Sequence, residues 1–181
     1  EKYLGMIPNP INIDKLKKPY SIKRNKIHIL HSINSKNKIK KGNEIFEKSL
    51  SIIEKKYSNK IKVIRTIDSS YSSHIKNVEE CDILLDQVYA YDQGYNALEA
   101  MALGKVVFTG AEIEWAEYYK LEEDSVAINA LPDVSKITDK LSWLIENPIH
   151  LENISKNARK FIEDNHNYKN IALKYIANWE K

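Results

Sequence analysis

Short apolar or alternating runs recur along the chain, each followed by a stretch whose apolar residues fall three and four apart. The segment Lys26–His31 alternates between polar loops, which predicts a first strand. Ile45, Phe46, Leu50 and Ile53 follow at helical spacing within 42–57. Residues 60–67 set Ile61, Val63 and Arg65 against Lys62, Ile64 and Thr66, a second strand. A helix is predicted over 71–80, with Ile75 and Val78 inward, and a third strand over 82–88. A helix over 95–103 closes at Gly104, a residue suited to the position just past a helix end. A fourth strand at 105–109, a short helix at 112–119 and a fifth strand at 125–129 come next. Beyond Pro132 the pattern turns helical, over 133–146, 149–164 and 168–180. Strands alternating with helices imply a parallel sheet with right-handed crossovers. The predicted class is α/β: a Rossmann-like open parallel sheet flanked by helices, with a helical carboxyl-terminal extension. Residues 1–25 hold three of the five prolines, which predicts an extended lead-in before a domain over 26–181.

Composition narrows the classes. At 181 residues a single domain with a real core is expected. No apolar run approaches the roughly 18 residues of a membrane span. The single cysteine, Cys81, excludes an internal disulfide and a zinc set, which suits the cytoplasm. His28, His31, His74, His150 and His166 show no metal spacing, and neither a Ser-His-Asp signature nor a Walker lysine motif occurs. The chain begins at Glu1 in mid-sequence style, as a piece of a longer protein would. Charge is uneven: ten Lys or Arg and no acid lie between Lys15 and Lys41, while residues 42–181 carry a net −6. The basic end would attract phosphate or anionic lipid, or it is a solvated linker. Without aromatic residues interleaved among the basic ones, nucleic acid is not expected as a partner.

Open parallel sheets bind ligands beyond the carboxyl ends of their strands. Loops 32–42, 67–72 and 88–96 lie there. In the last, Gly94 would let backbone approach a ligand, and the free N–H groups of Tyr95, Asn96 and Ala97 would cradle an anion. The plainer alternative is an ordinary helix start capped by Asp92 or Asn96. Glu99, among Ala97, Leu98, Ala100, Met101 and Ala102, is an acid that apolar flanks place away from the surface. His31 ends the first strand, within reach of a phosphate or packed in the core. Tyr71 would stack on a ligand or pack inward, and Asp68 would cap the helix after it.

The run Leu98-Glu-Ala-Met-Ala-Leu-Gly-Lys-Val-Val107, with Gly94 before it, resembles the carboxyl-terminal domain of GT-B glycosyltransferases, in particular the retaining family 4. Pro8-Asn-Pro-Ile11 and Lys41-Gly42 match further pieces of that pattern. Val106 stands where the family has Pro, and Tyr91, followed by Asp92, stands where it has its first Glu. The resemblance implies one half of a GT-B fold, with the amino-terminal acceptor domain absent. It implies that Glu99 accepts from the ribose of a nucleotide-diphosphate sugar. Lys36 and Lys41, with Lys38 and Lys40 as rivals, would neutralise the departing diphosphate. Gly94, Tyr95 and Asn96 would hold phosphate, Ile67, Ser70 and Tyr71 the base, and Tyr91 and Asp92 the sugar. Asp86 and Gln87 are further polar groups able to face that sugar. The implied reaction needs no metal and no cofactor. The implied acceptor is a glycan or a lipid-linked one, reached through the missing domain, with peripheral contact at the inner face of a bacterial membrane. A sugar-nucleotide epimerase of the same fold and a non-catalytic domain with a vestigial site are the alternative readings.

Overall fold

The computed structural model describes residues 5–16, 25–37, 39 and 41–180. Within them the strands are β1 (Ile27–Ile33), β2 (Ile61–Ile67), β3 (Ile83–Leu85), β4 (Val106–Thr109) and β5 (Ile128–Asn129). The helices are α1 (Asn43–Tyr57), α2 (Tyr71–Glu80), α3 (Tyr95–Ala102), α4 (Ile113–Tyr119), α5 (Val134–Glu146), α6 (Pro148–Asn165) and α7 (Tyr168–Trp179). A 3₁₀ turn at Ser35–Asn37 follows β1, which the apolar pattern does not announce.

The sheet is parallel throughout, in the order β2-β1-β3-β4-β5. Its centre is covered on both faces, so Ile83-Leu-Leu85 and Val106-Val-Phe-Thr109 are wholly buried and read as unbroken runs. On one face Ile29, Ile83, Leu85 and Phe108 pack against Phe46, Leu50 and Ile53 of α1 and Leu141 and Leu144 of α5. On the other, Leu30, Leu84 and Val107 meet Val78 of α2, Leu98 and Met101 of α3, and Ala158, Phe161 and Ile162 of α6. Each fully buried Leu, Ile or Phe contributes about 1.5–3 kcal/mol.

Two strands are shorter than their patterns predict. β3 stops at Leu85 because Asp86 and the residues after it turn into the loop, although Asp86 N–H still reaches the Phe108 carbonyl at 2.9 Å. β5 starts only at Ile128, because Asp124 takes a positive φ of 56° and its carboxylate captures the Asn129 N–H. The second carboxyl-terminal helix begins one residue early, at Pro148, where a missing N–H costs nothing at the first helical position. The lead-in has no regular secondary structure over residues 5–10 and then joins the fold: Ile11 forms a parallel bridge to Asn167, and Ile11 and Leu16 are buried. Residues 1–4 and 17–24 of that segment lie outside the described residues.

From β1 the chain steps outward to β2, then crosses back over β1 to β3 and continues the other way. The crossovers therefore diverge between β1 and β3, and a crevice opens beyond their carboxyl ends.

Candidate functional site

A cavity of about 320 Å³ occupies that crevice, lined by Ser32, Ile33 and Asn34 after β1, Lys41 before α1, Asp68, Ser69, Tyr71 and His74 around the start of α2, and Asn96 in the first turn of α3. All three predicted loops reach it. Lys41 is placed by Gly42, which has φ 69°; a Cβ there would lie 2.1 Å from Val88 Cγ2. Only glycine therefore lets loop 88–96 close on the start of α1, where Val88 N–H donates to the Lys41 carbonyl.

The Lys41 ammonium donates to Asp86 Oδ1 at 2.8 Å, and the Asp86 side chain is 1% exposed. Asn96 Nδ2 donates to the same oxygen at 2.6 Å and Thr109 Oγ1 to the other at 3.3 Å. Asn96 Oδ1 faces His74 Nε2 at 2.5 Å, His74 Nδ1 faces Ser32 Oγ at 3.1 Å, and Thr66 Oγ1 donates to Ser32 Oγ. With Asn96 donating to Asp86, its oxygen must accept, so Nε2 carries a proton, and Nδ1 pairs with the Ser32 hydroxyl. One polar chain thus runs from the end of β2 to Lys41 and fixes the cation at the edge of the cavity.

Gly94 caps α3 without a side-chain bond, which removes both Asp92 and Asn96 as caps. Its φ is −83°, so its conformation does not demand glycine; what it supplies is space, since a Cβ would meet nothing within 4 Å. Leu98 N–H is bonded to the Gly94 carbonyl, and the N–H groups of Tyr95, Asn96 and Ala97 precede that first turn. One turn on, Glu99 is half-buried rather than sealed among its apolar flanks, because α3 turns this edge toward the crevice. Tyr71 donates to Glu99 Oε1 at 2.9 Å and is 64% exposed, so it is not a core residue. Burial, and then the bond to Glu99, hold the Tyr71 phenol above its ordinary pKa, where it remains a donor.

Other predicted residues are dispersed. Lys36 is exposed in the 3₁₀ turn and does not line the cavity, but its charge helps hold Asp68 below the usual carboxylate range, after the bonds from Ser35. Asp68 adopts φ 48° and accepts from Ser35 N–H, while Ser70 takes the cap of α2, so Asp68 is not that cap. Ile67 ends β2, largely exposed. His31 is fully buried, bonded to Glu47 and Asn43 on the α1 face, and belongs to the core. Lys38 and Lys40 lie outside the described residues. Tyr91 and Asp92, both exposed, line a second cavity of about 460 Å³, which shares no lining residue with the first. Among the described residues no group of His, Cys, Asp and Glu is placed to hold a metal ion.

His74, Ser32 and Thr66 were not legible as site residues. Ser32 and Thr66 are register partners on β1 and β2, and His74 meets Asn96 only because the first turns of α2 and α3 lie side by side. None of these relations leaves a spacing in the sequence.

The family described as Glycosyl transferases group 1 matches residues 22–161. No curated protein sequence matches the chain. Solved structures of similar shape include sucrose-phosphate synthase from Thermosynechococcus elongatus, 15% identical, TM-score 0.70, covering 96% of this chain and 51% of that one. Anabaena Alr3699/HepE in complex with UDP and glucose is 15% identical, TM-score 0.71, with 97% and 56% covered. The C-terminal domain of the group 1 glycosyl transferase LpcC from Francisella tularensis is 18% identical, TM-score 0.64, with 87% and 98% covered. The chain thus spans about half the length of the first two and nearly all of the third.

Proposed function

The chain belongs to the glycosyl transferases group 1 family, and from that premise we propose that its crevice binds a nucleotide-diphosphate sugar as the donor half of a retaining glycosyltransferase. The observation that carries this reading is the polar chain holding Lys41 beside the uncapped amino terminus of α3, with Glu99 one turn further on. A diphosphate set there meets an ammonium and a helix amino terminus, which together favour the charge that grows as the sugar leaves. Glu99, with Oε1 taken by Tyr71, offers its second oxygen to a ribose hydroxyl. Tyr71 and Ile67 flank the base, Gly94, Tyr95 and Asn96 the phosphates, and Lys36 adds charge from the rim. Tyr91 and Asp92 stand just before Gly94, where they read hydroxyls of the transferred sugar.

In the transfer, the bond from the anomeric carbon to the diphosphate oxygen breaks. A bond to an acceptor hydroxyl forms, and the acceptor's proton passes to the departing diphosphate. The acceptor is a glycan or a lipid-linked one, and the setting is the inner face of a bacterial membrane. The contact proposed there is peripheral. Among the described residues no helix is long and apolar enough to cross a membrane.

Calorimetric titration with UDP-, GDP-, ADP- and CMP-sugars tests the reading, with UDP first because a structural neighbour holds it. Saturable binding of one of them is the expected result. Binding of none would make this a vestigial site.

A further inference from the structure

The polar chain behind the crevice holds one hydroxyl that has two directions open to it. Ser32 Oγ accepts from Thr66 Oγ1 and lies 3.1 Å from His74 Nδ1. The far nitrogen of that ring is fixed as a donor. Asp86, ion-paired with Lys41, only accepts, so Asn96 turns its amide to Asp86 and its oxygen to His74 Nε2. The proton at Nδ1 is what remains to be set. With Nδ1 bare, the Ser32 hydroxyl donates to it and shows the crevice a lone pair. With Nδ1 protonated, the imidazolium donates, His74 and Thr66 fill both lone pairs of Ser32, and its O–H turns to another acceptor. Ser32 and His74 line the same cavity as Lys41 and Asn96, so that acceptor is whatever occupies the crevice.

We propose that a bound diphosphate draws a proton from solvent onto His74, and that Ser32 then donates to the diphosphate; its placing in the crevice rests on the transferase reading above. A diphosphate carries acceptors only. It is therefore repelled by the Ser32 lone pair of the neutral state and takes the O–H of the charged one. A ligand that binds one of two states better shifts the balance toward it. Imidazole is the side chain that exchanges its proton near neutral pH, so both states are within reach. His74 is thus a positioning residue: it acts on the ligand through Ser32, and its charge adds to that of Lys41.

The surroundings agree with that charge. Asp86 stands behind Asn96, Glu99 lies one turn further along α3, and Asp68 is on the cavity wall; all three favour an imidazolium. Lys41 opposes it, and the ion pair with Asp86 and the diphosphate both offset that. Tyr71, one turn earlier on α2, is a neutral donor to Glu99. On the strands beneath, His28 and Lys62 come four residues before Ser32 and Thr66, toward the amino-terminal edge of the sheet and away from the crevice.

The test is calorimetry on the 181-residue chain with UDP-glucose, GDP-mannose and ADP-glucose, each at pH 7.5 in two buffers of different ionisation enthalpy. A sugar nucleotide is the right probe, because a diphosphate esterified at both ends has no proton of its own to exchange near neutrality. The one that binds should take up about 0.3 of a proton or more. Since the bound state holds that proton more tightly, affinity should fall about fivefold from pH 6.5 to pH 8.5. The matching nucleoside should bind without uptake. His74→Gln keeps an amide able to bond Asn96 and Ser32. It should melt in urea as wild type does, take up no proton, and bind equally at both pH values. Ser32→Ala reads the same coupling from its other end and should lose most of the uptake together with the affinity gained at pH 6.5. Uptake that persists in His74→Gln would give the proton to another group and overturn the proposal. Binding by wild type without uptake would overturn it too, and would leave the transferase reading standing. Binding of none of the three would overturn that reading and the proposal with it.

Discussion

Lys41 is held by a carboxylate with almost no access to water, and that sets the outcome of its removal. Lys41→Ala leaves Asp86 buried with only Asn96 and Thr109 as partners, so chemical denaturation should show a loss of about 3 kcal/mol. Adding Asp86→Asn should recover most of it. In that double variant, affinity for a nucleoside diphosphate should fall tenfold or more while affinity for the nucleoside stays unchanged; equal losses for both would remove Lys41 from the diphosphate. Glu99→Ala should weaken nucleotide binding by about 1.5–3 kcal/mol, the range of a hydrogen bond to a charged group. Tyr71→Phe should cost less than half as much, since it keeps the ring beside the base and removes only the bond that orients Glu99. Calorimetry on the two variants separates these roles. Gly94 was singled out by the loop that leads into a helix, Glu99 by its apolar flanks, and Lys41 by the resemblance and the glycine that follows it. Asp86 was legible only as a polar strand end. Its partners come from three other segments, and that meeting is a property of the packed sheet.

Among the elements, helices were read within a residue or two because their apolar stripes are continuous, whereas β3 and β5 were read too long. An apolar run marks burial, and residues 86–88 and 125–127 include buried positions that are not in the ladder. Two elements carry predictions. Ser70 caps α2 through Ser73 N–H, and α2 presents both Tyr71 and His74, so Ser70→Ala should cost about 1 kcal/mol in urea melts and weaken nucleotide binding with it. The junction of α6 and α7 holds His166, whose pKa is lowered from 6.5 by burial; Lys174 adds to this, while the Asn9 bond and Asp92 oppose it. The unfolded chain therefore takes up the proton more readily. Stability from this residue is complete above about pH 6.5 and declines as pH falls from there toward the lowered folded value. Thermal melts across pH 7.5 to 5.5 should show the decline, and His166→Gln should flatten it. An unchanged slope in the variant would assign the effect elsewhere.

For the molecule entire, the division of labour matters more than any side chain. The chain spans about half of sucrose-phosphate synthase and HepE and nearly all of the LpcC domain, and the residues lining the crevice proposed for the donor all lie within it. Positioning of a second reactant supplies much of a transfer rate. The 181 residues should accordingly bind a sugar nucleotide and not turn it over; product formation with an added acceptor would refute that. The bridge between Ile11 and Asn167 has a mechanical corollary. Because the two segments run parallel, a pull on the lead-in and on α7 in opposite directions loads their backbone bonds, Ile11 N–H to His166 and Tyr168 N–H to Ile11, in shear and together. In an optical trap the first rupture should peel those two segments away as one short event, with the five strands still paired until a second, higher force.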